Sequence, residues 1–464
     1  MVALMTRPGT RTEAAVGTRQ WIALASVLLA TFMGLLDGSI VTVAVPSIQE
    51  DLNASFGEAQ LVIAGYTLAY AVGLVTGGRL GDLYGRRRLF TAGVAAFVAA
   101  SAACALAPAA PVLIGTRVLQ GLAAAVMLPQ VLSIIQASFA GPARKTALGM
   151  YGATVGLAAI SGQIVGGGLL TWNLLGLGWR SVFLVNVPVG VLAVAVARRT
   201  VAESRGPRTR LDLAGAVLLA AALAGLLLPA ALGWPAWGWV PAVAGAAALA
   251  AFWFAERGRV HALVPLRLLG RVVPGLLTVL AFYAGNAGFF LLLAYHLQAG
   301  LGLSPLAGAL VFAPLGIGFA AASVAGRRSG RIVTGAALMT LSLAGVVVVA
   351  LMVPQSGQVA WLVPALALSG VGEGLVAAPL IGVVLAQVAP GDAGAAGGIL
   401  LTATQVANAC GVTLIGGLFA AVLGGAPGTA GVGFPHYAHA TAVTGTAVLA
   451  LAVLTGILTR TTTR

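Results

Sequence analysis

Polar residues are bunched along this chain, and long apolar runs lie between the bunches. Fourteen such runs fall near 21–46, 57–77, 89–107, 111–137, 146–172, 181–197, 212–233, 236–255, 272–296, 304–325, 332–353, 359–387, 394–423 and 441–459. They are too long for strands and lack strand-like alternation. Each matches the roughly 20 residues that a helix needs to cross about 30 Å of hydrocarbon. The gaps alternate in character. One set carries Arg79 with Arg86–Arg88, Arg144 with Lys145, Arg198 to Arg210, Arg257 to Arg271, and Arg327, Arg328 and Arg331. The other set is poor in basic residues; its first gap holds Glu50, Asp51 and Glu58, and its last holds His436 and His439. Of 25 Lys and Arg, only Arg117 and Arg180 fall outside the basic side. The positive-inside rule then puts both termini and the Gly78–Arg88 gap in the cytoplasm. The pattern predicts an all-α membrane protein of 14 transmembrane helices. Residues 1–198 would form a six-helix bundle, 199–271 a cytoplasmic linker with two inserted helices, and 272–464 a second six-helix bundle.

Composition agrees with this picture. The chain is 59% hydrophobic, with a mean hydropathy of +1.02, more apolar surface than a soluble domain can hide. The formal charge of +14 sits in short gaps without aromatic stacking motifs, so no nucleic-acid partner is expected. Cys104 and Cys410 lie in apolar runs and suggest neither a disulfide nor a metal framework. Arg7, Arg11 and Arg19 precede the first run, which reads as a spanning helix and not as a removable signal.

Against that background a few residues stand out. Between the second and third runs lies Gly78-Arg-Leu-Gly-Asp-Leu-Tyr-Gly-Arg-Arg-Arg88. Its glycines allow a tight link, and Asp82 can pair with Arg86 or Arg87, or with a helix end. Asp37 sits inside the first run, where a charged side chain costs about 2.5–3.5 kcal/mol, and is therefore a candidate proton carrier. The other reading is a carboxylate held by helix-to-helix hydrogen bonds. Arg117, in R-V-L-Q-G with Gln120 and Gly121, cannot give up a proton, so its role would be electrostatic, or else a static ion pair. The fifth run places Gly152, Gly156, Gly162, Gly166, Gly167 and Gly168 on a helix able to pack closely. Glu373, between Gly372 and Gly374, is a second carboxylate near the middle of a run. It would hold a cationic substrate, carry a second proton, or serve as a packing residue. Tyr66, Gln120, Gln130, Gln163, Tyr283, Asn286, Gln405 and Asn408 are further candidates to line a shared cavity with Glu373.

These motifs carry a resemblance. G-x-L-x-D-x-x-G-R-R, on Gly78, Leu80, Asp82, Gly85, Arg86 and Arg87, is similar to the loop signature of the major facilitator superfamily. Asp37 followed by Pro46, R-x-x-Q-G, GLAAISGQIVGG, W-R-x-x-F-x-x-N-x-P from Trp179 to Pro188, and YHLQAGLGLSPLAG from Tyr295 to Gly308 resemble its fourteen-helix drug:proton antiporter branch. Gln163 departs from that pattern by standing where the branch has proline. The second half's counterpart of the first loop, Gly326–Arg331, keeps its basic residues but lacks the acid. The resemblance implies a multi-pass protein of the bacterial cytoplasmic membrane, and the Ala-rich, Arg-dominated composition points to a high-GC source. It also implies proton-coupled export of a hydrophobic or cationic small molecule by alternating access, with roles in proton coupling for Asp37 and Arg117. The Asp82 loop would be a cytoplasmic gate, and Trp179, Arg180 and His296 would lie at the outer interface. No cofactor is expected beyond the proton gradient. The partners would be the cargo, protons and the bilayer, and the protein would be a monomer. Alternatives are a proton-coupled transporter of another solute class, exporter or symporter, and, more remotely, a membrane-embedded acyltransferase using His436 and His439.

Overall fold

The computed structural model describes residues 17–206, 212–232, 235–257, 259, 266–325, 331–387, 393–424, 427 and 432–462. Arg7, Arg11, Arg208, Arg210, Arg327, Arg328 and most of the Gly326–Arg331 loop lie outside the described residues. The described chain is helical, with no strand among those residues. The first group of helices is α1 (Thr18–Asp51), α2 (Phe56–Tyr84), α3 (Arg86–Ala105), α4 (Ala110–Ser138), α5 (Gly141–Trp172), the short α6 (Ser181–Leu184) and α7 (Asn186–Thr200). Then come α8 (Leu213–Ala231) and α9 (Trp239–Glu256). The last group is α10 (Leu266–Tyr295), α11 (Pro305–Ala325), α12 (Ile332–Met352), α13 (Gln358–Ala386), α14 (Ala393–Cys410), α15 (Gly416–Leu423) and α16 (Phe434–Thr462). Among the described residues twelve helices are long and apolar enough to cross a membrane, or thirteen if the bent α2 is taken as one span. That is short of the fourteen expected. The remaining expected run, 146–172, lies within the 32-residue, glycine-rich α5.

The chain uses one packing plan twice. In the first bundle α2 and α3 pack on α4, α1 packs on α5 and α7, and α3 packs on α7. In the second, α11 and α12 pack on α13, α10 packs on α14 and α16, and α12 packs on α16. These are the same five pairings nine helices on, with α1 matching α10 and α7 matching α16. The bundles meet through α5 against α11 and α2 against α14, which exchange under the same correspondence. The inserted α8 and α9 pack on each other, and α8 leans on α2.

Glycine decides where helices come closest. On α5, Gly162 and Gly166 lie against Ser39 and Ile40 of α1, while Gly167 faces Pro305, Leu306 and Ala309 of α11. A side chain at any of these positions would push helices apart. Gly156 lies on the same helix, one turn and a half before Gly162.

The two bundles are sealed together at the arginine-poor end. The largest buried apolar cluster runs from Leu36, Ile48 and Phe56 through Trp179 and Phe183 into Leu292, Phe312 and Phe419, so it spans both bundles. The cluster of the first bundle's arginine-rich half, from Leu24 and Val27 to Phe97 and Val131, contains first-bundle residues only. Hydrogen bonds follow the same division. Tyr295 Oη donates to Gln49 Oε1 at 2.6 Å, and Gln60 Nε2 donates to the Val412 carbonyl at 3.0 Å. Gln298 Nε2 donates to the Val43 carbonyl at 3.2 Å, and Leu306 N donates to Thr171 Oγ1 at 3.0 Å. The conformation is therefore closed at the arginine-poor end.

Candidate functional site

Within the first bundle α1, α4 and α7 bring Asp37, Arg117, Gln120 and Asn186 into one buried cluster. Arg117 Nη1 lies 2.6 Å from Asp37 Oδ2, with both side chains shut off from solvent. Gln120 Nε2 and Asn186 Nδ2 both donate to Asp37 Oδ1, at 2.9 and 2.8 Å. Arg117 Nη1 also reaches Gln120 Oε1 at 2.7 Å, and Arg117 Nε donates to the Val62 carbonyl of α2 at 3.1 Å. The Tyr66 ring stacks under the guanidinium, 4.2 Å from Cζ to centroid. Tyr66 Oη in turn donates to the Gly34 carbonyl. Asn186 also donates to Ser101 Oγ of α3 at 3.0 Å, and Cys104 Sγ lies 3.5 Å from Gln120 Oε1. The charge of Asp37 is thus balanced and hydrogen-bonded. Such an arrangement makes a buried ion pair tolerable, and breaking it by removing one partner costs about 3–5 kcal/mol.

The second bundle carries its carboxylate on the matching set of helices, with different partners. Glu373 on α13 is buried. It accepts a hydrogen bond from Ser369 Oγ at 3.3 Å and one from the Asn286 side chain of α10. No arginine, lysine or histidine pairs with it among the described residues. Glu373, Asn286 and Ser369 border a narrow slot closed by Phe289, Met339 and Val448. Its free space amounts to about one water molecule. The helices around it are α10, α12, α13 and α16. These correspond to α1, α3, α4 and α7, all of which contribute to the Asp37 cluster together with α2.

The structure separates the remaining sequence candidates. Tyr283 is close to Glu373 and packs edge-on against Phe282, 4.9 Å between centroids. Gln130 braces α2 on α4 instead of lining a cavity: its Nε2 donates to the Gly77 carbonyl at 2.8 Å, and its amide packs on Gly81. Gln163 is buried on α5 with its Oε1 unbonded. Gln405 and Asn408 are half-buried on α14, and no described hydrogen bond joins them to Asp37 or Glu373. His296 and Trp179 are buried within the protein. His296 Nε2 meets Gln358 Oε1 at 2.7 Å, and its Nδ1 meets Thr441 Oγ1 at 3.0 Å. His436 and His439 are exposed in the first turns of α16, not in a loop.

The Gly78–Arg88 segment also differs from expectation. It is not a loop. Gly78 to Tyr84 continue α2 beyond a 49° bend, and α3 starts at Arg86. Gly85 alone breaks the helices, at φ +107°, a conformation that favours glycine. Asp82 Oδ1 pairs with Arg86 Nη2 at 2.9 Å. Arg87 instead faces Glu203, which accepts from Arg87 N at 3.1 Å. The chain after α7 is strapped across the junction: Arg86 N donates to the Ser204 carbonyl and Gly206 N to the Asp82 carbonyl. Sequence reasoning missed Ser101 and Glu203, and read Asn186 as structural only. The signal for Asn186 was an amide set in an apolar run two residues before Pro188.

Two repeated helical bundles, closed at one end and holding ionisable residues in their interiors, are an architecture suited to a membrane transporter. The sequence matches the family model described as Major Facilitator Superfamily over residues 27–216 and 212–412, and the chain belongs to that family, in its drug-efflux branch. It is 39% identical over 425 residues to a probable actinorhodin transporter of Streptomyces coelicolor, covering 88% of this chain and 73% of that protein. It is 37% identical to a puromycin resistance protein of Streptomyces alboniger, over 86% of this chain and 81% of that one. It is 35% identical to a cephamycin export protein of Amycolatopsis lactamdurans, over 94% and 92%. A bacterial homologue of the human lysosomal transporter Spinster, in an inward-facing and occupied conformation, shares the fold with TM-score 0.66 and 17% identity, over 97% of each chain. The protein is therefore a multi-span transporter of small molecules and not an enzyme.

Proposed function

We propose that the protein is a proton-coupled antiporter exporting a hydrophobic or cationic small molecule, and that its two buried carboxylates divide the coupling between them. The observation that carries this reading is the difference in their partners. Asp37 has a guanidinium at 2.6 Å, whereas Glu373 has only neutral hydrogen-bond donors. A buried carboxylate without a cation is costly as the anion, so it calls for a proton or a bound cation. An exchanger needs that property: one site with two mutually exclusive occupants. In the closed-end conformation the slot beside Glu373 fits a proton and a water. A drug-sized cation requires the slot to widen when the bundles rock.

The Asp37–Arg117 pair serves this scheme as the second switch. It ties α1 to α4, and through Val62 and Asn186 to α2 and α7, so a rearrangement of these helices changes its hydrogen bonds. Gln120 and Tyr66 belong to this switch. Tyr283 and Asn286 belong to the Glu373 side, while Gln163, Gln405 and Asn408 lie on α5 and α14, the helices that take part in the two seams. The Asp82–Arg86 junction gates the arginine-rich end, which lies in the cytoplasm with both termini. Residues 1–198 and 272–464 act as the two moving units of a monomer, with 199–271 inserted between them. The names of the relatives, which include a transporter of one antibiotic and an exporter of another, support outward transport of a small organic cargo across the cytoplasmic membrane.

The test uses inside-out membrane vesicles and a fluorescent cationic dye. Imposing an acidic interior should drive dye uptake by the wild type, and a protonophore should abolish it. Glu373→Gln should lose the pH-driven component for the cationic dye and keep more transport of a neutral cargo. Asp37→Asn should lose coupling at matched protein level. Undiminished pH-driven uptake by both variants would sink the scheme.

A further inference from the structure

We propose that the arginine-lined pocket between the start of α3 and the end of α7 binds the phosphate headgroup of an anionic phospholipid. This site is separate from the two carboxylates and does not rest on the transport scheme. Arg87, Arg88, Thr91 and Ala92 of α3 and Arg198 of α7 line an open cleft of about 360 Å³ at the arginine-rich end. Three guanidiniums face it, and the described counter-charge is the single carboxylate of Glu203. That carboxylate is a poor partner for two of them: Arg87 Nε lies 3.6 Å from Glu203 Oε2, and Arg88 Nε 3.8 Å. Good charge-assisted bonds are about 2.7–2.9 Å. Arg198 makes no hydrogen bond or ion pair among the described residues. The pocket thus carries two uncompensated positive charges beside one weakly paired acid.

The surface next to the pocket selects the kind of anion. Toward mid-membrane, α3 exposes Ala96 and Ala99, and α7 exposes Leu192 and Ala195. Small apolar residues below a basic pocket offer a smooth bed for acyl chains. A phosphodiester in the pocket then places its tails where the hydrocarbon layer begins. Basic pockets between transmembrane helices on the cytoplasmic side bind anionic headgroups by this combination of charge and position. A free phosphate satisfies the charge but leaves the apolar bed unused.

Native mass spectrometry of the full-length protein in neutral detergent tests this by counting bound dioleoyl phosphatidylglycerol against dioleoyl phosphatidylcholine. The wild type should retain a first phosphatidylglycerol in preference to phosphatidylcholine. Arg88→Gln with Arg198→Gln should weaken that first binding by about thirtyfold, from the contribution of each arginine near an anionic surface. Arg88→Lys with Arg198→Lys should restore most of it. Ala92→Phe, which fills the cleft and leaves every charge in place, should weaken it similarly and remains decisive if the double glutamine variant fails to fold. Equal retention of the two lipids by the wild type would overturn the proposal. So would unchanged phosphatidylglycerol binding in the Ala92→Phe protein, or displacement of the lipid by millimolar inorganic phosphate, which would mark a free-anion site.

Discussion

Replacing Arg117 by glutamine tests how the first bundle is held together. The guanidinium has five partners: the Asp37 carboxylate, the Gln120 side chain, the Val62 carbonyl and the rings of Tyr66 and Phe183. Removing it leaves Asp37 charged, buried and without a cation, at about 3–5 kcal/mol. The two bonds to neutral acceptors add about 1 kcal/mol each. The stacking over Tyr66 adds up to about 2 kcal/mol in a desolvated site. These contributions overlap, so a loss of about 5 kcal/mol is expected. Asp37→Asn in the same chain removes the stranded charge, and the double variant should regain about 3 kcal/mol relative to the sum of the singles. Cys104 provides the readout, since its thiol is buried beside Gln120 and becomes reactive when the cluster opens. Thermal unfolding in detergent, followed with a thiol-reactive dye in a Cys410→Ser background, reports that opening. A loss below about 1 kcal/mol for Arg117→Gln, or strict additivity of the two substitutions, would show that the pair does not hold the bundle in the way the geometry requires.

Five other variants address how the molecule moves. Gly85→Ala puts a side chain at φ +107° and against Glu203, so the α2–α3 junction should loosen; turnover should fall severalfold with cargo affinity unchanged, as should occur for Asp82→Ala, measured by transport rate against dye binding. Gly162→Leu drives a side chain into Ser39 and Ile40 and should block transport or folding, whereas Gly152→Ala, which meets open space, should be tolerated; yield and dye efflux check both. Tyr295→Phe removes the hydrogen bond to Gln49, worth about 1 kcal/mol. It should shift the equilibrium roughly fivefold toward opening at the arginine-poor end, read as a longer spin-label distance between the ends of α1 and α10.

The sequence was most legible where chemistry and hydropathy pull in the same direction. Spans are legible because a hydrocarbon layer needs a fixed length of apolar helix, and Asp37, Arg117 and Glu373 stand out because an ionisable side chain in such a run is expensive. Their partners were less legible, since rotation about a helix axis leaves no trace in composition. Gln130 and Gln163 look alike in sequence and both leave Oε1 unbonded, yet Gln130 Nε2 braces a glycine contact between α2 and α4. The partners of His296 were not legible either, because Gln358 and Thr441 are far away in sequence and only the fold brings them to its ring. The Gly78–Arg88 segment was misread as a loop because five charged residues suggest solvent. One glycine at positive φ suffices to reverse the chain, and Glu203, over a hundred residues on, absorbs part of the charge.

The inserted helix pair has a bearing on how a greasy cargo gets in. Two seams join the bundles, α5 with α11 and α2 with α14. Leu227 of α8 packs with Ala64 of α2 and Ala409 of α14, and Gly57 of α2 fits against the end of α8 at Ala231 and Leu232. The pair therefore stands as a screen along the second seam. The first seam keeps apolar side chains such as Leu157 and Ile317 turned outward into the surroundings. The two seams are therefore unlike: one flank is shuttered by the inserted pair, and the other presents exposed apolar side chains. For a cargo entering sideways, only the α5–α11 flank would be left unscreened by the inserted pair.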